Sequence, residues 1–191
     1  MSEQKFAVFE TAIGYCGIVW GEHGIRGVNL PEPSAQATRA RLLQRFPGTS
    51  EAPPSPQIMD AIDGIRALLR GEPADLSTIE LDMAELPEFN RAVYEIARTI
   101  APGRTLTYGD VAARAGTPKD ARAVGQALGR NPFPIVVPCH RVLAADGRMH
   151  GFSGPGGVTT KLKLLEIEGY EPNPGPSLFD TRPSPSSGRQ G

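Results

Sequence analysis

Between Phe6 and Leu30 the chain reads FAVFETAIGYCGIVWGEHGIRGVNL, short apolar runs broken at Gly14, Gly21 and Gly24, the pattern of strands joined by tight turns. The period then changes. AQATRARLLQRF and IMDAIDGIRALLRG both repeat apolar residues at helical spacing, the second through Ile58, Ala61, Ile62, Ile65, Leu68 and Leu69. STIELDM, Ser77 to Met83, returns to a strand-like pattern. Together these segments predict a small α/β unit that ends near Met83 and continues through AELPEF into a second part.

That second part opens with PEFNRAVYEIARTI, in which Phe89, Ala92, Val93, Ile96, Ala97 and Ile100 share one helical face and Pro102-Gly103 marks the stop. Two helix-start signals follow. Thr107 with Asp110, and Thr117-Pro118 with Asp120, each pair a capping hydroxyl with an acid three residues on, and Gly116 between them suits a C-cap. Helix, short turn, helix is the shape of a helix-turn-helix, and equally that of a plain helical hairpin. In the second helix the spacing turns Ala121, Val124, Gly125 and Leu128 inward and leaves Lys119, Arg122, Ala123, Gln126, Ala127 and Arg130 outside. A basic but thin face of this kind fits the minor groove of DNA, ~6 Å wide; an ordinary exposed helix with alanines has the same pattern.

Charge sharpens the contrast between the halves. The chain of 191 residues has a net charge of -1, yet residues 51 to 100 hold ten acids against four arginines while 101 to 150 hold seven bases against three acids. A local basic segment of this sort is the footprint of a polyanion partner, or a solvated surface. No run approaches the ~20 apolar residues that cross a bilayer, and MSEQKFAVFE lacks the charged-then-apolar order of a signal peptide, so a cytoplasmic protein without membrane contact is expected. The tail, 173–191, is rich in Pro, Ser and Gly and is expected to be disordered.

Two cysteines are too few for a disulfide scaffold. Cys16 lies in an apolar strand pattern and reads as a buried hydrophobe. Cys139 differs, because Pro138 fixes the backbone before it and His140 and Arg141 follow as groups able to favour a thiolate over a thiol of ordinary pKa ~8.5. Side chains of neighbouring residues on an extended strand point apart, so His140 needs a turn or a bridging water to reach the Cys139 sulfur. Adjacency also weakens a cysteine hydrolase, whose histidine usually comes from a distant segment. Cys16, His23, Cys139, His140 and His150 show no paired zinc spacing, and no metal is expected.

PCHRV at Pro138–Val142, preceded by GRNPFPIVV and followed by GFSG and LLEIEGY, resembles the O6-alkylguanine-DNA alkyltransferases, the methylated-DNA-protein-cysteine methyltransferases, over about residues 86 to 170. The resemblance implies a ribonuclease-H-like α/β domain with a small antiparallel sheet over 1–85. It also implies a mostly α, winged-helix-like helix-turn-helix catalytic domain over 86–172. The implied activity is irreversible transfer of an alkyl group from O6 of guanine, or O4 of thymine, in double-stranded DNA to Cys139, by a monomer without cofactor that grips the minor groove. Residue by residue, it implies that His140 takes the thiol proton through a water, Glu168 steadies the imidazolium, Asn131 orders the cysteine turn and Tyr108 donates towards guanine N3. Arg122 would fill the gap left by the flipped base. Lys119, Ala123, Gln126, Ala127 and Arg130 would face DNA, and the carbonyls of Cys139 and Val142, the amide of Ser153 and Phe152 would border the pocket. Phe152 stands where many relatives have tyrosine, and FSGPGGVTTK is two residues longer than the commoner loop, departures that bear on which alkyl groups are accepted. A non-catalytic recognition protein for alkylated DNA is the alternative.

Overall fold

The computed structural model describes residues 4–147 and 156–171. His150, Phe152, Ser153 and the tail 173–191 lie outside the described residues.

Strands β1 (Lys5–Thr11), β2 (Gly14–Gly21) and β3 (Gly24–Asn29) form the expected antiparallel meander. The short β4 (Ser50–Glu51) pairs with β1 in parallel, making a mixed sheet in the order β3-β2-β1-β4. Both faces of the sheet are covered, as strand alternation requires. Ala7, Phe9, Cys16, Ile18 and Trp20 enter the main core, whereas Phe6 and Val19 face Leu42 of α1 (Ala35–Arg45). That helix lies close because Gly27 has no side chain: a Cβ there would sit 2.2 Å from the Phe46 ring. Helix α2 (Pro56–Leu69), capped by Ser55, buries all six residues that share its apolar spacing.

Ser77–Met83 does not form the expected strand. It meets β3 at one bridge only, where the Ile25 amide donates to the Glu80 carbonyl (3.0 Å) and the Asp82 amide to the Ile25 carbonyl (2.8 Å). The cause is competition for its acceptors, because Arg98 Nη2 takes the carbonyls of Leu76 (3.3 Å), Ser77 (2.5 Å) and Ile79 (2.8 Å) that a ladder would need.

Helix α3 (Glu88–Arg98) buries Val93, Tyr94 and Ala97 and leaves Ala92 exposed, so its inward face centres on Tyr94, which the apolar pattern passed over. Thr107 and Asp110 make the predicted capping box on α4 (Tyr108–Arg114), and Gly116, at φ +80°, follows its C-cap. The second start is displaced. Asp120, not Thr117, caps α5 (Ala121–Gly129), its carboxylate accepting the Ala123 amide at 3.0 Å, while the Thr117 hydroxyl turns back to the Ala112 carbonyl. Two short parallel strands, β5 (Leu106–Thr107) and β6 (Val142–Leu143), and α6 (Gly157–Ile167) complete the described chain. One hydrophobic cluster runs from Ala7 to Leu164 across both halves, and the Val28 amide on β3 donates to the Pro132 carbonyl at 2.8 Å.

Gly24 has φ +117°, and a Cβ on it would lie 2.7 Å from the Glu80 carbonyl oxygen. Gly24→Ala is expected to destabilise the fold by ~2 kcal/mol through backbone strain and displacement of the 80–82 segment. The urea midpoint should fall with an unchanged slope; an unshifted midpoint would show that this contact does not constrain the turn.

Candidate active site

The segment between α5 and Cys139 is shaped by Asn131. Its Oδ1 accepts the Phe133 amide (2.9 Å) and its Nδ2 donates to the Val137 carbonyl (2.9 Å), while the Val137 amide donates to the Phe133 carbonyl (2.8 Å). Inside this closed loop Ile135, next after Pro134, is held at φ +76°, a left-handed conformation uncommon for a β-branched residue. The Cys139 amide then reaches back to the Val137 carbonyl at 2.8 Å around Pro138, whose φ -79° and ψ 67° make an inverse γ-turn. The chain enters the 3₁₀ turn Cys139–Arg141 at once. Cys139 stays half-buried while His140 and Arg141 are carried inside, which is the turn that adjacency demanded.

Inside, the two meet the carboxylate of Glu168, the C-cap of α6, whose side chain is 2% exposed. His140 Nε2 lies 2.7 Å from Glu168 Oε1, Arg141 Nη2 and Nε donate to Oε1 and Oε2 at 2.8 Å each, and the Gly103 amide approaches Oε2 at 3.4 Å. Arg141 Nη1 also donates to the Ile100 carbonyl at the end of α3. Burial alone would raise the Glu168 pKa, but the hydrogen bonds from His140 and Arg141 and their charge hold it down to about 2. An ionised partner on Nε2 fixes the proton there, so the neutral imidazole presents Nδ1 as its lone pair. Nδ1 is buried and has no hydrogen-bond partner among the described residues. Desolvation, aided by the charges of Arg141 and Lys161, keeps the His140 pKa below its ordinary value against the pull of Glu168.

The thiol is governed by different neighbours from those expected. Burial pushes its pKa up, so the resting group is protonated; an Asn131 side-chain hydrogen bond, the charge of Lys161 and the amides of Cys139 and His140 oppose the rise. Arg141 is not among them, because its guanidinium is occupied by Glu168 and Ile100. The nearby cation is Lys161, 1% exposed, which donates to the Val142 carbonyl at 2.7 Å and stands 5.7 Å from the Tyr108 ring centroid. Lys161 was missed from the sequence, although Lys161, Leu164, Leu165 and Glu168 fall at i, i+3, i+4 and i+7 and so share the inward stripe of α6. Tyr108 is half-buried, and burial followed by the charge of Cys139 raises its pKa, keeping the phenol a donor.

On α5, Arg122 and Gln126 are exposed, as are flanking Lys119 and Arg130, and Ala123 is half-buried. Ala127 is not on the outer face: it is 3% exposed, because α5 packs on α3 as well as α4 and Tyr94 reaches across to it. The Val142 carbonyl holds Lys161 and the Cys139 carbonyl accepts the Val142 amide. Cys16 is fully buried, with its thiol pKa raised to about 12 by desolvation. Among the described residues no three His, Cys, Asp or Glu side chains are arranged to hold a metal, and no helix is long and apolar enough to cross a membrane.

Acid should weaken this centre in two stages. His140 has a lowered pKa in the fold, so the unfolded chain binds more protons once the pH drops below about 6.5 and stability falls. Glu168, depressed from 4.5 to about 2, adds a second loss between those values. Glu168→Gln should remove that lower stage and, by leaving Arg141 buried and unpaired, cost ~3–5 kcal/mol at neutral pH. Urea midpoints followed from neutral pH downward check both, and a variant that kept the lower stage would refute the assignment.

The comparisons with known proteins agree with one another. Residues 88–170 match the family model described as 6-O-methylguanine DNA methyltransferase, DNA binding domain. The methylated-DNA–protein-cysteine methyltransferase of Methanothermobacter thermautotrophicus is 39% identical over 153 residues, 80% of this chain and 78% of that one. The Mus musculus protein of the same name is 34% identical over 87% of this chain and 82% of its own. Among solved structures, the Mycobacterium tuberculosis O6-methylguanine methyltransferase superposes with a TM-score of 0.70 at 30% identity, covering 90% of this chain and 96% of that chain. The OGT protein of M. tuberculosis in complex with DNA gives 0.68 at 31%, covering 86% and 93%. Sequence and architecture, a mixed α/β fold of small sheet and helices, converge, and the chain belongs to the methylated-DNA–protein-cysteine methyltransferase family.

Proposed function

We propose that this chain repairs DNA by moving an alkyl group from O6 of guanine onto Cys139, irreversibly and once per molecule. The observation that carries the reading is the His140–Glu168 pair: it leaves Nδ1 as a bare, buried lone pair on the residue next to a half-buried thiol. The thiol proton passes to Nδ1 through a water, and the imidazolium so formed is stabilised by ionised Glu168. The thiolate, steadied by the Asn131 side chain and the Lys161 charge, attacks the carbon bonded to O6. The new C–S bond forms as the C–O bond breaks, and its electron pair leaves with the guanine. Tyr108 gives the departing base a proton at N3 and regains one from the imidazolium or from solvent. A thioether remains on Cys139, and none of these groups is placed to reverse the step.

The target base must leave the duplex, at a cost of a few kcal/mol. The exposed basic face of α5 supports minor-groove binding, with Arg122 inserted where the base was and Lys119, Gln126 and Arg130 beside the strands. Half-buried Ala123 keeps this face thin, and Ala127, turned inward, offers it no side chain. On this reading residues 86–172 form a winged-helix-like catalytic domain, residues 1–85 a ribonuclease-H-like domain that buttresses it, and the protein acts as a monomer.

Incubation with a duplex containing O6-methylguanine should add one methylene to the peptide that contains Cys139, with one lesion repaired per protein molecule. Cys139→Ser should abolish transfer and spare duplex affinity. An unmodified peptide, or more than one lesion repaired per molecule, would overturn the proposal. Lys161→Met should push the thiol pKa further up, and transfer at neutral pH should fall roughly tenfold and be recovered in part at alkaline pH. A pH profile that does not move would remove Lys161 from this role.

A further inference from the structure

Tyr94 lies in the middle of α3, outside every role assigned above, and is fully buried. Its hydroxyl donates to the Ala127 carbonyl at 2.8 Å. That carbonyl is in the last turn of α5, where helix acceptors lack an intrahelical partner, and the Arg130 amide shares it at 3.1 Å. The ring, meanwhile, meets Phe133 edge to face, with centroids 6.4 Å apart and planes at 87°.

Phe133 belongs to the cysteine loop. Its amide is held by Asn131 Oδ1 and its carbonyl takes the Val137 amide; Asn131 Nδ2 holds the Val137 carbonyl, which also accepts the Cys139 amide. One side chain therefore grips the end of α5 with its hydroxyl and the loop beneath the thiol with its ring. From the end of α5 to the sulfur the chain itself runs through Arg130 to Pro138, a stretch that contains left-handed Ile135, and Tyr94 spans its first part directly.

We propose that Tyr94 is a positioning residue that holds α5 and the Cys139 loop in one fixed relation, so that a helix seated on DNA brings the sulfur to the extruded base. This inference rests on the repair reading of the site, in which α5 binds DNA. A strut of this kind acts after binding. Its loss leaves the DNA-facing side chains of α5 unchanged and misplaces the nucleophile, so the penalty belongs in the maximal transfer rate and not in the duplex concentration that half-saturates it.

The test is single-turnover methyl transfer from an O6-methylguanine duplex by the full chain, with rate measured against duplex concentration. Tyr94→Phe keeps the ring and removes only the hydroxyl; the maximal rate should fall about five- to twentyfold, and the half-saturating concentration should change by less than about twofold. Phe133→Leu removes the edge-to-face contact from the other side and should give the same split. The double variant should be less impaired than the product of the two single effects, because each breaks one line of support. An unchanged maximal rate in Tyr94→Phe, a loss confined to half-saturation, or full multiplication in the double variant would each overturn the strut. Failure of the wild-type protein to methylate Cys139 would instead sink the repair reading, before any variant is compared.

Discussion

The carboxylate of Glu168 is the point on which the rest of the centre depends. Burying an anion among apolar residues is costly unless every lone pair is used, and here imidazole, guanidinium and a backbone amide converge on it. The arrangement ties together four places far apart in sequence: the end of α3 through Ile100, the turn at Gly103, the 3₁₀ turn after Cys139 and the end of α6. It also settles the tautomer of His140, and with it which nitrogen faces the chemistry. A helix C-terminus is an unfavourable place for an acid, since the dipole adds negative charge, and the Arg141 guanidinium together with the His140 N–H overcomes that penalty.

Around this centre the chain uses backbone groups where a sequence pattern shows only spacing. Val28 on β3 reaches the Pro132 carbonyl, and Arg98 draws in three carbonyls of the segment that links the halves. The sheet is thereby fastened to the cysteine loop, and both halves contribute to one hydrophobic cluster. The amino-terminal half is thus joined to the chemistry by packing as well as by the peptide chain.

How much was legible follows from what periodicity can carry. The meander, the apolar stripe of α2 and the capping box at Thr107 and Asp110 were readable, because each is fixed by residues close in sequence. Ser77–Met83 has a strand-like pattern but forms no strand, because its acceptors are captured by Arg98, about twenty residues away. The start of α5 is ambiguous in sequence because Thr117 and Asp120 both suit a cap, and the fold uses Asp120. The spacing turns Ala127 outward because periodicity cannot count how many helices pack on α5. Motif likeness singles out Cys139, His140, Asn131 and Glu168, which the fold brings into one neighbourhood, but burial reassigns the electrostatics there. Arg141, adjacent to the thiol in sequence, serves Glu168, and Lys161, hidden among leucines, is the cation whose charge lowers the thiol pKa.

Ile135 is caught between two opposed demands. Its backbone adopts a shape that glycine would accept without strain, while its side chain, 1% exposed, fills space that glycine would leave empty. A smaller residue relaxes the chain and opens a void; a β-branched one fills the void and keeps the tension. No single exchange satisfies both, so this position can drift only in concert with its surroundings, and the bend that aims the sulfur is protected against gradual change.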